Sequence, residues 1–518
     1  MRKNKWLLLP VAASLVLASA ACGSQSDDGA SNAASPAASA TAAATVAATS
    51  GPKPELKALM RWMKDDYNTY PVAKMLEEKT GYKVTYDMLP ADKPGDKLNL
   101  LIASSEPYDL ISVGGDNTFK ALYADYAKKG ALVDLTQLID KYGPNIKKAI
   151  SQKSFDAIKV DGKIYAIPHT TSNTVGASLI IRKDWLDKLG LKVPATLDEL
   201  TEVLKQFKEK DPGGNGDKNI PLSMVGNAPM LSNVVGAFGL ANEWNDAGGK
   251  LVPRAMDPAY KDYLTHMADL YKQGLIDKEF AINKDATVKE KFTSGKVGVI
   301  PQGWADVPTV ADALKKNVPT AEYVFIPALK GKDGKAGFGA SSGFDRITFI
   351  PKSSKHPEDA IKYMNAKLEE ETFKNMAIGE EGKHYTFKDG VYSPILPIFN
   401  DERNNAGNFL TGIDEVKYPI YWQARVRKDQ RLFDAWDYLN PKQPDALKFP
   451  NPLGLAPYLA QYAKDNAQLE QLVIDYTTKV IVGGEPISGL DAFVAKYKAA
   501  GADASYKEVN EWYATVKK

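Results

Sequence analysis

The sequence contains a single cysteine, Cys22, and only four histidines in 518 residues. One thiol cannot form an intramolecular disulfide, and a metal site built from cysteine and histidine needs several ligands close together. The histidines are scattered along the chain at His169, His266, His356 and His384. The sequence therefore excludes a disulfide framework and predicts neither a cysteine–histidine metal cluster nor a thiol catalyst.

An excess of charge of one sign is also missing. Lys and Arg number 66 against 64 Asp and Glu, which gives a formal charge of +2. Three of the basic residues precede Cys22, so the rest of the chain carries −1 and gives no reason to propose nucleic acid as a partner. After the N-terminal segment there is no run of 18 or more apolar residues, so no membrane-spanning helix is predicted there.

The N-terminal segment has the pattern of an export signal. A basic start is followed by the apolar stretch WLLLPVAASLVLASA and by small residues that lead into Cys22. SAACGS resembles the lipobox of bacterial lipoproteins, whose cysteine receives a diacylglycerol, although Ser19 stands where the lipobox prefers leucine. We expect residues 1–22 to be a lipoprotein signal peptide; the alternative is an ordinary secretory signal. Residues 23–54, rich in Ala, Ser and Thr, predict a disordered tether.

From about residue 55 the sequence alternates strand and helix patterns. LKALMRW, YKVTYDML and YDLISVGG predict strands, and PVAKMLEEKTG and DKLNLLIASSE predict helices between them. This order is typical of an open parallel sheet covered by helices, so the predicted fold class is α/β. Ligands of such sheets bind beyond the carboxyl ends of the strands, where Arg61, Trp62 and Asp116 lie.

A second set of patterns follows GKIYAIPH. A strand over 177–182 leads into a helix that Asp184 could cap, and Thr196 with Glu199 has the spacing of a capping box. EKFTSGKVGVIPQGW predicts a strand that places Trp304 at its carboxyl end, and GFDRITFIPKSSKHPEDAIKYMN predicts a strand, a loop and a helix. These patterns predict a second α/β unit.

Five segments are distinctive: LIIRKDWLDKLGLKVPATLDEL, FTSGKVGVIPQGW, KSSKHPEDAIKYMN, GEEGKHY and IVGGEPISGLDAFVAKYKAAGADASYKEVNEWY. They resemble the extracellular solute-binding proteins of sugar-importing ABC transporters, above all the long lipoprotein branch of Gram-positive bacteria. The resemblance runs from about residue 55 to the C-terminus. It implies a periplasmic-binding-protein-like fold with two open sheets and flanking helices, joined by a hinge. The expected N-terminal lobe is 55–172 plus 337–376, and the expected C-terminal lobe is 173–336 plus 377–518.

The resemblance also implies a sugar-binding cleft between the lobes. Sugars present apolar ring faces rimmed by hydroxyl groups, so such a cleft needs aromatic platforms together with hydrogen-bonding side chains. We expect platforms at Trp62 and Trp304, which lie at strand ends, and at Trp244 and Trp422, which lie in polar, loop-like settings. The alternative for each of them is a buried core tryptophan.

Four charged residues are candidates for the polar contacts of the cleft: Arg61, Asp116, Asp345 and Arg346. Charged groups in loops are often simply solvated, which is the alternative interpretation of each. Arginine would suit a uronate carboxylate by bidentate pairing, whereas a neutral glycan fits the same set of residues.

The stretch DPGGNGDKNIPL partly matches the twelve-residue calcium loop. Its candidate ligands are Asp211, Asn215 and Asp217, but Gly213 stands at position three and Leu222 replaces the bidentate acid at position twelve. Some oligosaccharide-binding members of the family carry calcium at the equivalent place. A plain turn of Gly and Asn is the better interpretation, so no cofactor is expected.

The sequence argues against one other class of function and leaves three others open. GASSG, residues 339–343, fits the nucleophile elbow with Ser341 as nucleophile, but FDRITFIP predicts a strand where an elbow needs a helix. A glycoside hydrolase stays open, since it shares aromatic platforms and needs only two carboxylates at a suitable separation. A binding protein for another solute such as a peptide, and a surface adhesin, stay open as well.

The sequence thus favours a binding protein without enzymatic activity. We expect a monomer that is lipid-anchored at the extracellular face of the cell membrane and touches the membrane only through that anchor. It would capture an oligosaccharide between its lobes and deliver it to the permease subunits of an ABC importer.

Overall fold

A computed structural model gives the fold of the chain and describes residues 52–171 and 174–517. The predicted signal peptide, Cys22 and the predicted tether up to residue 51 lie outside the described residues. Among the helices that are described, none is both long and apolar enough to cross a membrane.

The strands of the described residues form two larger sheets and three small two-stranded ones. The larger sheets have the strand orders 2-1-3-12-4 and 10-5-9-6, and helices flank both. The strands are β1 Leu56–Met60, β2 Val84–Met88, β3 Leu110–Gly114, β4 Ala166–Thr170, β5 Ala177–Arg182, β6 Ile220–Leu222, β7 Trp244–Asp246, β8 Leu251–Pro253, β9 Val297–Gly303, β10 Tyr323–Phe325, β11 Phe338–Ala340, β12 Phe344–Phe349, β13 Tyr385–Lys388, β14 Val391–Pro394 and β15 Lys448–Pro450.

The helices predicted from PVAKMLEEKTG and DKLNLLIASSE are present, and four further helices that were not predicted lie between β3 and β4. The helices of the described residues are α1 Pro71–Thr80, α2 Pro94–Ala103, α3 Asn117–Lys128, α4 Thr136–Tyr142, α5 Pro144–Ala149, α6 Gln152–Ile158, α7 Lys183–Leu189, α8 Leu197–Lys210, α9 Ser232–Gly236, α10 Ala259–Lys272, α11 Asp285–Thr293, α12 Val307–Asn317, α13 Pro357–Lys367, α14 Glu370–Ile378, α15 Ile398–Arg403, α16 Tyr418–Val426, α17 Gln430–Leu439, α18 Ala460–Ile481, α19 Leu490–Tyr497 and α20 Asp503–Val516. Proline at the start of α1 and left-handed Gly81 after it bound that helix.

The first large sheet is mixed. β1 pairs in parallel with β2 and with β3, as the alternation of strands and helices predicts. β12 runs antiparallel to both β3 and β4, so the sheet is not parallel throughout. Because β12 joins the sheet from a distant part of the chain, no crossover helix constrains its direction. Its antiparallel direction puts the start of β12 beside the carboxyl end of β3.

In the second large sheet, β5 lies between β10 and β9 and is antiparallel to both, while β6 is parallel to β9. The predicted capping box of α8 is present, with Thr196 and Glu199 each bonding the other's backbone. Asp184 does not cap α7, because its carboxylate accepts hydrogen bonds at 2.8 and 2.6 Å from the guanidinium of Arg182. This ion pair is largely buried and packs beside the ring of Trp185.

Separate hydrophobic cores pack against the two large sheets. The first core contains side chains of β1, β3, β4 and β12, and the second contains those of β5, β6, α8, α10 and α18. Phe399, Phe409 and Tyr421 also pack in the first core, although the predicted boundary at 376 puts them in the C-terminal lobe. The lobe boundaries stay predictions, and this packing favours placing 385–424 with the N-terminal lobe.

Candidate functional site

A pocket of about 330 Å³ brings together five of the predicted site residues. They are Arg61, Trp304, Asp345, Arg346 and Trp422. The lining is completed by mostly polar residues: His169, Thr170, Thr171, Thr174, Ser341, Asn404, Gly407, Asn408, Tyr418 and Arg425. A cavity of this size with aromatic and polar walls can enclose a small ligand or part of a longer one.

The pocket lies where strand ends of both large sheets meet. Arg61 follows β1, Thr170 ends β4, and Trp304 follows β9, so these three residues lie at carboxyl ends of strands. That is the position expected for ligand contacts on α/β sheets. Asp345 and Arg346 come from the amino end of β12, which reaches the same edge because β12 runs antiparallel to its neighbours.

Three aromatic side chains, Trp304, Trp422 and Tyr418, form an aromatic corner in the pocket. The rings of Trp304 and Trp422 stand nearly perpendicular, 86° apart, with their centres separated by 6.5 Å. Tyr418 and Trp422 are four residues apart on α16, so they share one face of that helix and their ring centres are 6.0 Å apart. All three residues are half-buried. The corner therefore offers apolar ring surface beside polar groups, as a sugar ring requires.

Asp345 and Arg346 form a charged pair at the base of the pocket. Nε and Nη2 of Arg346 lie 3.0 and 2.9 Å from Oδ2 of Asp345. Nη1 of the same arginine donates to the carbonyl oxygens of Asn408 and Leu410 at 3.0 and 3.1 Å. Burial alone would raise the pKa of Asp345, but the positive charge of Arg346 and smaller contributions from neighbouring groups hold this pKa below its ordinary value. The carboxylate is thus ionised, and Arg346, which it binds, links the sheet to the loop over 404–410.

Arg61 is the more accessible of the two arginines that approach Asp345. Its Nη1 lies 3.8 Å from Oδ2 of Asp345, and 42% of its side chain is exposed, against 5% for Arg346. Burial, and then the positive charge of Arg346, lower the pKa of Arg61. The Arg61 guanidinium therefore sits in a positive environment with part of its surface open to the pocket.

His169 is a neutral member of the site. Burial, and then the charge of Arg346, lower the pKa of this imidazole to about 3. Nδ1 is 3.9 Å from Oδ2 of Asp345, which is beyond hydrogen-bond distance, and no hydrogen bond to it is found among the described residues. A neutral imidazole that lines the pocket can donate to or accept from a ligand hydroxyl group.

A buried lysine, Lys367, binds the backbone of the loop over 404–410 that lines the pocket. Lys367 on α13 is 1% exposed, and its Nζ donates to the carbonyl oxygen of Phe409 at 2.5 Å. The neighbouring carbonyls, of Asn408 and Leu410, are the ones that Arg346 binds. Burial, and next the charge of Arg346, lower the pKa of Lys367 to about 7. Lys367 and Arg346, both buried, thus hold the backbone of residues 408–410. Of these two, Lys367 titrates near neutral pH.

Substitution Lys367→Met is expected to change how stability depends on pH. The folded-state pKa of about 7 lies below the unfolded value of about 10.4, so the unfolded chain binds more protons between these values. The lysine therefore makes the wild-type protein more stable as pH rises above 7, by about 2 kcal/mol near pH 9. Urea unfolding at pH 7 and at pH 9 should show this gain in stability for the wild type and its loss in Lys367→Met. The partly exposed Lys362 of the same helix gives the matched control, Lys362→Met. Equal pH dependence in the wild type and Lys367→Met would contradict the assignment.

Three predicted site residues do not line the pocket. Trp62 follows Arg61 but is 54% exposed. Asp116 caps α3, where its Oδ1 accepts from the backbone N–H groups of Thr118 and Phe119 at 2.9 and 3.3 Å. Trp244 is 2% exposed and packs in a small apolar core, so the structure contradicts a platform role for it. Trp244 is instead a buried core tryptophan, which was the alternative interpretation of this residue.

The partial calcium loop forms a turn that is closed by its own hydrogen bonds. The two carboxylate oxygens of Asp211 accept from the backbone N–H groups of Asn215 and Gly216 at 2.9 and 2.7 Å. The side chain of Asn215 donates to the carbonyl oxygen of Gly295, and Asp217 lies exposed in a short 3₁₀ turn. Within residues 52–171 and 174–517, no group of three or more His, Cys, Asp or Glu side chains is placed to hold a metal ion.

The segment GASSG does not form a nucleophile elbow. Ser341 stands between β11 and β12, so a strand follows the turn where an elbow requires a helix. Its hydroxyl group is 2.9 Å from that of Thr174. Among the described residues that line the pocket, Asp345 is the one carboxylate, whereas glycoside hydrolysis generally uses two.

Sequence reasoning missed several lining residues because it placed YPIYWQAR in a loop. The segment forms α16, and the helix carries Tyr418, Trp422 and Arg425 to the pocket. Their spacing of four and three residues was the available signal, since residues so spaced share a helix face. Arg425 donates to the carbonyl oxygens of Arg403 and Asn404, and its guanidinium lies 5.7 Å from the ring centre of Trp422.

Comparison with known proteins agrees with the family resemblance. The family described as bacterial extracellular solute-binding protein matches residues 71–385. Lipoprotein LipO of Bacillus subtilis is 29% identical over 100% of this chain and 99% of its own length. The polygalacturonan/rhamnogalacturonan-binding protein YtcQ of the same species is 25% identical over 99% of this chain and 100% of its own length.

A solved structure supports the fold. The substrate-binding protein FusA of Streptococcus pneumoniae, in complex with kestose, matches with a TM-score of 0.69 at 24% identity, covering 90% of this chain and 99% of that one. This likeness confirms the predicted two-lobed α/β fold class. Because the family match also covers more than half of the chain, this protein belongs to the family of bacterial extracellular solute-binding proteins.

Proposed function

We propose that the protein captures an oligosaccharide in the pocket described above and delivers it to an ABC importer. The observation that carries this proposal is the aromatic corner of Trp304, Trp422 and Tyr418 beside a polar wall of hydroxyl, amide and guanidinium groups. Aromatic faces stack on sugar rings, and the polar groups bind the hydroxyl groups at the ring edges. The names of YtcQ and the kestose complex of FusA support a sugar as the class of solute.

The proposed protein is a carrier and not an enzyme. One lining carboxylate, Asp345, is held by Arg346, which suits a fixed ion pair better than an acid–base catalyst. The ligand would be released intact to two membrane permeases, and a cytoplasmic ATPase would drive import. A monomer suffices for this role, with no cofactor, and calcium is not required by the turn at Asp211.

The test is a thermal-shift screen of the purified protein against neutral and acidic oligosaccharides and peptides, followed by chromatography of any hit. A ligand that binds only the folded state raises the unfolding midpoint as its concentration exceeds the dissociation constant. A saturable shift with the saccharide recovered intact supports the proposal. Shortened product would identify a glycoside hydrolase, and a shift with peptides alone would identify a different solute.

We place the protein at the extracellular face of the membrane, held by a lipid on Cys22. The lipobox-like SAACGS and the full-length similarity to the lipoprotein LipO support this location.

Substitution Cys22→Ser is expected to release the protein from the membrane of a Gram-positive host into the medium. Without the thiol no thioether-linked lipid can form, so a fatty-acid label should be lost together with membrane association. Fractionation and labelling measure both effects, and Ser24→Ala is the control that keeps the thiol. Equal release of the wild type and the Cys22→Ser variant would indicate an ordinary secretory signal.

A further inference from the structure

The pocket carries more positive charge than its carboxylate can balance. Among the lining residues that the structure describes, Arg61, Arg346 and Arg425 stand against the single carboxylate of Asp345. Two of these arginines share that carboxylate: Arg346 at 2.9 Å and Arg61 at 3.8 Å from the same oxygen. Arg425 donates to backbone carbonyl oxygens, which satisfy its N–H groups but do not neutralise its charge.

Further cations lie behind the lining. Lys367 donates to the carbonyl oxygen of Phe409, and Lys428 donates to Oδ1 of Asn404 at 2.8 Å. Neither ammonium forms an ion pair with a carboxylate within the described ranges 52–171 and 174–517. The nearby acid Glu415 accepts from three groups, among them Thr170 at 2.9 Å. These three donors are neutral, so Glu415 keeps its negative charge and offsets part of the excess. One acid does not balance the two lysines and the lining arginines, so a positive excess remains.

The cations also act on one another. The charge of Arg346 contributes, after burial, to lowering the pKa of both Arg61 and Lys367. Arg425 contributes in the same way, after burial, to a lowered pKa of Lys428. Mutual repulsion of this kind is relieved when an anion enters, so the pocket is electrostatically suited to a negatively charged group.

Solvent exposure indicates which of these cations a bound anion would contact. Arg346 is buried and its guanidinium is engaged by Asp345 and two carbonyls. Arg61 keeps 42% of its side chain exposed, and its distance of 3.8 Å from Asp345 leaves its N–H groups available to a ligand. A planar guanidinium binds a carboxylate through two parallel hydrogen bonds.

We infer that the ligand is an acidic oligosaccharide whose uronate carboxylate binds Arg61 while a sugar ring packs in the aromatic corner. This inference rests on the proposed sugar-binding function. It adds that the saccharide is negatively charged and that Arg61 recognises the charge. The neutral His169 and the threonines of the lining supply partners for the sugar hydroxyl groups.

The test compares acidic oligosaccharides with their own neutral forms. Oligogalacturonate and oligomannuronate are titrated calorimetrically into the protein, together with carboxyl-reduced samples of each that differ only in the charged group. At least one acidic saccharide should bind about 10- to 100-fold more tightly than its reduced form. Raising the salt concentration should weaken the acidic ligand selectively.

Variants of Arg61 test whether this residue causes the preference for acidic saccharides. Arg61→Gln should remove the preference by weakening the acidic ligand about 10- to 100-fold more than the reduced ligand. Arg61→Lys should restore part of it, because lysine keeps the charge but loses the fork geometry. Lys64→Gln removes one positive charge from an exposed residue of the same segment and serves as the matched control.

The outcomes separate the two proposals. Equal affinity for acidic and reduced saccharides, or an unchanged preference in Arg61→Gln, would overturn the acidic-ligand inference and leave sugar binding intact. Absence of binding by every acidic and neutral saccharide in the thermal-shift screen would overturn the sugar-binding proposal itself. A preference that Lys64→Gln reduces as much as Arg61→Gln would assign the effect to general surface charge and also contradict the role of Arg61.

Discussion

Replacing Trp304 or Trp422 with alanine is expected to weaken oligosaccharide binding by at least about 30-fold in each case. Both rings line the pocket and meet at 6.5 Å, so truncation of either one removes stacking surface and disturbs the other. Calorimetric titration of the purified variants, with the saccharide that gives the largest thermal shift, measures the loss. Far-ultraviolet circular dichroism shows whether the variants remain folded.

Two other tryptophans provide the controls. Trp62→Ala removes an exposed ring that does not line the pocket, and its affinity should stay within about twofold of the wild type. Trp244→Ala should lower the free energy of unfolding by about 3–5 kcal/mol, because this ring is 2% exposed in a packed core. A larger loss of affinity in Trp62→Ala than in Trp304→Ala would contradict the assignment of the aromatic corner.

Replacing Arg346 with methionine is expected to destabilise the protein by about 3 kcal/mol and to abolish measurable sugar binding. The variant loses the bonds to Asp345 and leaves the carbonyl oxygens of Asn408 and Leu410 without this partner. Because those carbonyls belong to the loop that lines the pocket, the loop should shift as well. Urea unfolding measures the loss of stability, and calorimetry measures the loss of binding.

The control for charge is Arg431→Met, since Arg431 forms exposed ion pairs with Asp312 and Asp429. Exposed pairs contribute about 0–1 kcal/mol, so this variant should be nearly as stable as the wild type. Arg346→Lys should recover part of the stability through its remaining charge. If Arg346→Met were as stable as Arg431→Met, the charged pair would not hold the loop.

The strand-end positions were predictable because a general rule of α/β sheets applies to them. Runs of apolar residues ending in a polar or aromatic residue located the ends of β1 and β9, and hence Arg61 and Trp304. Asp345 and Arg346 were also selected, as charged residues, and they lie within the strand predicted from FDRITFIP. Their meeting with Arg61, however, depends on the antiparallel direction of β12, which no local pattern encodes.

Other parts of the site depend on packing over long distances. Trp422 was predicted from its polar neighbours, but its helix was not, because Pro419 and the aromatic residues of YPIYWQAR obscure the helical period. Trp244 has polar neighbours in sequence and is nevertheless buried against side chains near residues 453 and 509. Contacts between residues so far apart in the chain cannot be read from local composition.

A co-crystal structure with the saccharide that stabilises the protein most is the most direct test of ligand capture in this pocket. We predict an intact saccharide with one ring against Trp304 and Trp422 and an acidic group at Arg61. Density for a saccharide bound elsewhere on the protein, with this pocket empty, would contradict the account.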